Sequence, residues 1–253
     1  MITKDYIEKL AKLGHVATFP NIAREYFQHV FLSNLSQIPG GEKLLFKGGT
    51  ALRIVYGSPR FSEDLDFSLF GVSHSLVNKF VEDIFLKILS EIERTGIKVE
   101  LGKKSGETSG GYFGVASFRF YDYPLIGVEI NVSARGTKQL AGEADSIVSD
   151  FAPAYSLLHL PQIVLVEEKI FGALLERKKP RDFYDLYFIM RKGMLTNEQK
   201  QRLSTVKNKI IASAKKIDFR YELGVFLPSD QQLIVRDFSA VLERELNRQL
   251  AKI

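Results

Sequence analysis

A chain of 253 residues, 45% hydrophobic and 26% charged, has the composition of a soluble globular protein with room for one large domain or two modest ones. It has no cysteine, which excludes disulfides, thiolate metal sites and cysteine nucleophiles. The formal charge of +5 is uneven: Arg191 to Lys216 carries eight Lys/Arg against one acid, Glu198, a local +7 that leaves the remainder at about −2.

The N-terminus, MITKDYIEKLAKLG, lacks the apolar core of a signal peptide, and no apolar run approaches a membrane span, so a cytoplasmic location is expected. Thr3 is placed to cap a first helix, in which Tyr6, Ile7, Leu10 and Leu13 recur at helical spacing before Gly14. A second helix is expected from Ile22 to Leu35, ending at Ile38-Pro39-Gly40-Gly41. A short strand, Leu44 to Phe46, then leads through Gly48-Gly49 into a helix from about Thr50 to Tyr56. Residues 64–70 alternate polar and apolar, the period of a half-buried strand.

Residues 75–94 read as helix. Strands follow at Ile97–Leu101, Tyr112–Tyr121 and Ile126–Val132, the first two joined by a glycine-rich hairpin loop, Gly106–Gly111. Beyond Pro161 the pattern is helical over 161–178, 182–191, 196–214 and 229–251. Thr196…Gln199 resembles a capping box, and Ser229 or Asp230 is a candidate cap. The expected architecture is α+β: residues 1–155 form a small mixed sheet with flanking helices, and residues 156–253 form a helical C-terminal domain.

Chemistry concentrates in FKGGTALRIVYGSPRFSEDLDFSLF, residues 46–70. Asp64 and Asp66, two apart in a strand, leave the same face and can share a hard cation such as Mg2+, which prefers oxygen ligands. Glu129 on the polar face of a neighbouring strand would complete a three-carboxylate set; an ordinary exposed strand residue would look the same. A strand, Gly48-Gly49 and a helix starting near Thr50 suit a phosphate, or simply a tight turn whose Thr50 hydroxyl caps the helix. Ser62, two before Asp64, could face the same phosphates.

Lys169 lies on a helix beside the small residues Gly172 and Ala173, suited either to neutralising a triphosphate or to a solvated ion pair. Asp182 and Asp185 share a helix face, and Asp182, just after Pro180, also suits an N-terminal cap. His15, His29, His74 and His159 show no zinc spacing. There is no Walker A lysine after the glycines and no G-x-S-x-G elbow. The basic 191–216 segment fits either a nucleic-acid partner or a solvated helix face.

FKGGTALR, GSPRFSEDLDF, VEINVSAR and EEKIFGALLERKKPRDFYDLY, in that order, resemble the AbiEii/AbiGii toxin family, nucleotidyltransferases related to the MenT toxins. The likeness runs from about residue 25 to 190; beyond 195 it is only helical. It implies a DNA polymerase β-like nucleotidyltransferase fold, with Gly48, Gly49, Thr50 and Ser62 as nucleotide-binding residues and Asp64, Asp66 and Glu129 as catalytic metal ligands. Lys169 matches the family's functional lysine. Its later aspartate falls on Asp182 or Asp185, with Asp182 preferred.

The resemblance further implies NMP transfer from an NTP with Mg2+, or Mn2+ in its place, to an acceptor hydroxyl, the tRNA 3′ end, with the basic 191–216 region tracking the RNA. A cognate antitoxin encoded nearby is the implied partner. The competing readings are transfer to a protein or a small molecule such as an antibiotic, and non-catalytic binding of a nucleotide or RNA.

Overall fold

The structure, a computed structural model, describes residues 2–13, 20–103, 105–134 and 140–251. The features expected at Gly14, His15 and Arg135 lie outside the described residues. Two compact units form: one comprises Met1–Gly57 with Phe61–Leu160, the other Ser58–Arg60 with Pro161–Ile253.

The first unit runs through α1 (Lys4–Leu13), α2 (Asn21–Leu35), β1 (Leu44–Lys47), α3 (Gly48–Ile54), β2 (Leu65–Leu69) and α4 (Val77–Arg94). It continues with β3 (Lys98–Leu101), β4 (Gly106–Thr108), β5 (Gly111–Arg119), β6 (Ile126–Ser133), β7 (Glu143–Ile147) and β8 (Tyr155–His159). These described strands form one sheet in the order β3-β5-β6-β2-β1-β8-β7, with β4 paired to β5. It is mixed: β2 runs parallel to β6 and β1 parallel to β8, whereas β1–β2, β5–β6 and β7–β8 are antiparallel.

Alternation decides which face is covered. Leu65, Phe67 and Leu69 of β2 and Val128, Ile130 and Val132 of β6 are buried. Against them lie α2 and α4, the latter burying Val77, Val81, Ile84, Phe85, Ile88 and Ile92, a 3–4 residue spacing. Aromatic rings fill the layer between. Phe27 stacks on Phe118 at 4.3 Å, and Phe31 packs edge-on to Phe85 at 5.6 Å and within 6.5 Å of Phe67. Such pairs add to the area they bury. By parity, Asp66, Glu129 and Asn131 belong to the opposite face. As expected, Thr3 caps α1, its hydroxyl oxygen accepting from the Tyr6 amide at 3.2 Å.

The second unit holds α5 (Gln162–Glu167), a π-helical stretch Glu168–Leu174, and α6 (Leu175–Arg177), then α7 (Pro180–Lys192) and α8 (Asn197–Ala214). It ends with α9 (Phe219–Leu223) and α10 (Phe238–Leu250). Its aromatic centre includes Phe183 edge-on to Phe219 at 5.9 Å and Phe219 against Phe238 at 4.7 Å. The Thr196–Gln199 capping box forms, each side chain bonding the other's backbone N–H at 3.1 Å.

Several expectations differ from the structure. Strands β4, β7 and β8 were not anticipated; β7 is exposed over Glu143–Ser146 and so shows no alternating apolar signal. Because β8 pairs with β1 through Phe46 and His159, the first unit runs to Leu160. The helix expected over 229–251 is a 3-10 stretch, Ser229–Asp237, followed by α10, and neither Ser229 nor Asp230 caps it, since the position before its first turn is Pro228. The run expected over 161–178 passes through the π-helical stretch and stops at Lys178, whose φ of +54° is left-handed.

Candidate active site

Strand register assembles the acidic face. In the parallel β2–β6 ladder Leu65 pairs with Ile130 and Asp66 with Asn131; Asp64 immediately precedes β2, and Glu129 immediately precedes Ile130. Asp66, Glu129 and Asn131 therefore share the face that α2 and α4 leave alone, with Asp64 at the entrance to β2. Asp64 and Asp66 are half-buried and Glu129 is exposed. Asn131, two residues after Glu129 in β6, donates from Nδ2 to Asp66 Oδ1 at 3.2 Å. In the conformations adopted, no three His, Asp or Glu side chains among the described residues converge into a cation cluster. What the backbone supplies is a shared face of oxygen donors, the ligand type that hard divalent cations take.

The glycine turn is built around the same carboxylate. Lys47 of β1 pairs with Asp66, and Gly48 follows at φ +85°. A Cβ on Gly48 would lie 2.1 Å from Asp66 Oδ2 and 2.9 Å from Asp66 Cβ, so only glycine lets the chain pass the carboxylate in this left-handed conformation. Thr50 is buried, and its hydroxyl donates to the Asp64 backbone oxygen, tying α3 to the residue ahead of β2. The hydroxyl thus bonds the backbone ahead of β2, and α3 starts at Gly48 with no side-chain cap bond. Ser62 is half-buried, and its backbone oxygen accepts from Gln28 Nε2 at 3.0 Å.

The second unit carries a separate charged group. Lys169, second residue of the π-helical stretch, donates to Asp185 Oδ2 at 2.9 Å. Arg60 grips the same carboxylate with Nε to Oδ1 at 3.0 Å and Nη2 to Oδ1 and Oδ2 at 2.8 and 3.1 Å. Burial pushes the Asp185 carboxyl up, but the Arg60 and Lys169 charges and hydrogen bonds outweigh it and hold it below its ordinary value.

Asp182 is occupied differently. Its Oδ2 accepts from the Lys179 backbone N–H at 3.1 Å and its Oδ1 from Arg177 Nη2 at 2.6 Å, which caps α7 behind Pro180. Of the two aspartates it is Asp185, not the preferred Asp182, that meets Lys169. Sequence reading missed Arg60 entirely. Its signal was a lone arginine inside GSPRFSEDLDF, and its partner lies 125 positions away.

The basic segment covers the end of α7 and α8. Arg191, Lys192, Arg202, Lys209, Lys215 and Lys216 are exposed, but Arg202 pairs with Glu167 at 2.7 Å and Lys215 with Glu243 at 2.8 Å. No helix among the described residues is long and apolar enough to cross a membrane.

Residues 30–252 match the family model described as nucleotidyl transferase AbiEii toxin, Type IV TA system. No curated protein matches the chain. Two solved structures from Helicobacter pylori share its fold. One, described as a nucleotidyltransferase, has 18% identity and a TM-score of 0.59 over 92% of this chain and 98% of its own. The other, JHP933, has 18% identity and a TM-score of 0.57 over 92% and 95%. The mixed sheet with flanking helices is thus a nucleotidyltransferase fold, as expected.

Proposed function

The chain belongs to the AbiEii nucleotidyltransferase toxin family, and on that premise we propose that it transfers NMP from an NTP to the 3′ end of tRNA as the toxin of a toxin–antitoxin pair. The observation that supports the site assignment is the β2–β6 register, which pairs Asp66 with Asn131 near the end of the ladder that Asp64 and Glu129 lead into.

Asp64, Asp66 and Glu129 would hold Mg2+, or Mn2+ in its place. The cation supplies charge neutralisation at the triphosphate and acidifies the attacking hydroxyl. The remaining work belongs to the chain. Asn131 orients Asp66, Gly48 leaves it room, and Thr50 fixes the backbone at Asp64. The Gly48-Gly49-Thr50 turn and Ser62 face the nucleotide phosphates. Glu129 assists in drawing the proton from the acceptor hydroxyl, whose oxygen bonds the α-phosphorus as the α–β bridging bond breaks and pyrophosphate leaves. Lys169 offsets charge on the triphosphate, with Asp185 as the family's later aspartate in place of Asp182. The basic 191–216 segment tracks the acceptor RNA.

The test incubates purified protein with total tRNA, Mg2+ and each labelled NTP in turn, alongside Asp64→Ala. Label moving onto tRNA with one NTP, and lost in the variant, supports the proposal. Pyrophosphate released without labelled tRNA redirects it to a protein or small-molecule acceptor. Nucleotide bound but never consumed would leave a binding protein.

A further inference from the structure

Arg60 has no part in the reaction as described, yet it is among the largest fully buried side chains of the molecule. We infer that Arg60 is a positioning residue, which occupies Asp185 so that the Lys169 ammonium is held in place with its charge free to meet a phosphate. This rests on the reading of Lys169 as a triphosphate ligand.

The argument is one of charge and exposure. Arg60 presents its planar fork to both carboxylate oxygens, the geometry in which Arg and carboxylate match best. Lys169 adds one bond to Oδ2. Two cations and one anion leave the group with a formal excess of one positive charge. The side chains of Arg60 and Asp185 are 2% and 1% exposed, whereas Lys169 is 11% exposed. The excess therefore falls to the one member that reaches solvent.

A lysine bonded to an uncommitted carboxylate would be neutralised by it. Here the guanidinium compensates Asp185, and the carboxylate serves Lys169 as an anchor instead of a counter-ion. A purely stabilising role explains this poorly, since buried ionic groups are often replaceable by apolar residues at no loss of stability. The π-helical stretch that begins one residue before Lys169 is a further departure from regular helix at the same place, a feature concentrated at functional positions.

The test is binding of inorganic tripolyphosphate, without divalent cation, measured by calorimetry beside thermal melting. Lys169→Gln weakens binding by about tenfold or more, the scale of one charge-assisted hydrogen bond. Arg60→Lys, which keeps the charge but loses the fork, gives a comparable loss. The double variant Arg60→Gln with Asp185→Asn keeps the net charge and can fold if Arg60→Lys does not; it also weakens binding. Ile189→Val, which loosens packing in the same α7, leaves binding unchanged while lowering the melting temperature. Wild-type affinity in folded Arg60→Lys and in the double variant, with Lys169→Gln impaired, overturns the inference and leaves Lys169's role standing. Wild-type affinity in Lys169→Gln overturns both.

Discussion

Replacing Gly48 by alanine tests whether the glycine turn exists for the sake of Asp66. Two costs arise, and the structure separates them. The first is conformational: alanine at φ +85° costs roughly 1–2 kcal/mol, the left-handed penalty for a residue with a Cβ. The second is steric. The new methyl would stand 2.1, 2.8 and 2.9 Å from Oδ2, Cγ and Cβ of Asp66. Because Cβ itself is too close, turning the carboxylate about its last bond gives no relief. The side chain must leave its rotamer or β1 and β2 must part at the Lys47–Asp66 pair, which adds about 1–3 kcal/mol, the usual range for overpacking. Gly57→Ala is the matched control: φ there is +78°, and an added Cβ meets nothing within 4 Å. Chemical denaturation and NTP turnover would be measured on both. Gly48→Ala should lose about 2–5 kcal/mol and, with Asp66 displaced by about 1 Å, turnover should fall about 100-fold. Gly57→Ala should lose only the conformational part and keep its turnover. If Gly48→Ala matches Gly57→Ala in stability and turns over NTP within twofold of wild type, Gly48 is not there for Asp66.

Other perturbations follow from the same geometry. Asp64→Ala should reduce NTP turnover by at least about 100-fold, equivalent to roughly 3 kcal/mol of lost charge stabilisation, with an unchanged circular dichroism spectrum; full turnover would remove Asp64 from the metal set. Asp185→Ala leaves Arg60 buried without its carboxylate and should cost about 3–5 kcal/mol in denaturant titration; a cost below about 1 kcal/mol would mean the ion pair contributes little. Reversing Lys207 and Lys209 to glutamate should flatten the salt dependence of tRNA affinity by between about one and two logarithmic units per decade; an unchanged slope would place the RNA elsewhere.

The strand faces and caps around the candidate site could be read in the sequence because their information is local. Asp64-Leu65-Asp66-Phe67 states its own faces, as does Val128-Glu129-Ile130-Asn131, since strand parity needs no knowledge of partners. The Thr196 box and the Pro180–Asp182 cap are legible for the same reason. What sequence alone could not supply was pairing. Asp182 and Asp185 lie three apart on one helix face and look equivalent until Lys179 and Arg177 claim the first and Arg60 and Lys169 the second. Strand β7 escaped because an exposed strand carries no apolar alternation. The bond from the Thr50 hydroxyl to a backbone oxygen 14 residues on is likewise one that no side-chain pattern announces.

One buried titratable group lies outside the site and gives a pH test of the packing alone. His29 on α2 is buried, its Nδ1 2.9 Å from the Tyr155 hydroxyl, and burial together with the Arg53 charge lowers its pKa from 6.5 to about 4. The unfolded chain therefore takes up this proton before the folded one. Between about pH 6.5 and 4 the unfolded state binds more protons, so stability falls as pH is lowered through that window and is unaffected by His29 above it. The lowered value, about 4 against 6.5, corresponds to a loss of roughly 3 kcal/mol by the lower end. Carboxylates titrate over part of the same range, so the diagnostic quantity is the difference in slope against His29→Gln between pH 6.5 and 5. The variant should be less stable at pH 7, through its altered packing, yet lose less on acidification. Parallel slopes would mean that α2 opens enough to hydrate His29 and that this face of the sheet is less tightly closed than its aromatic packing indicates.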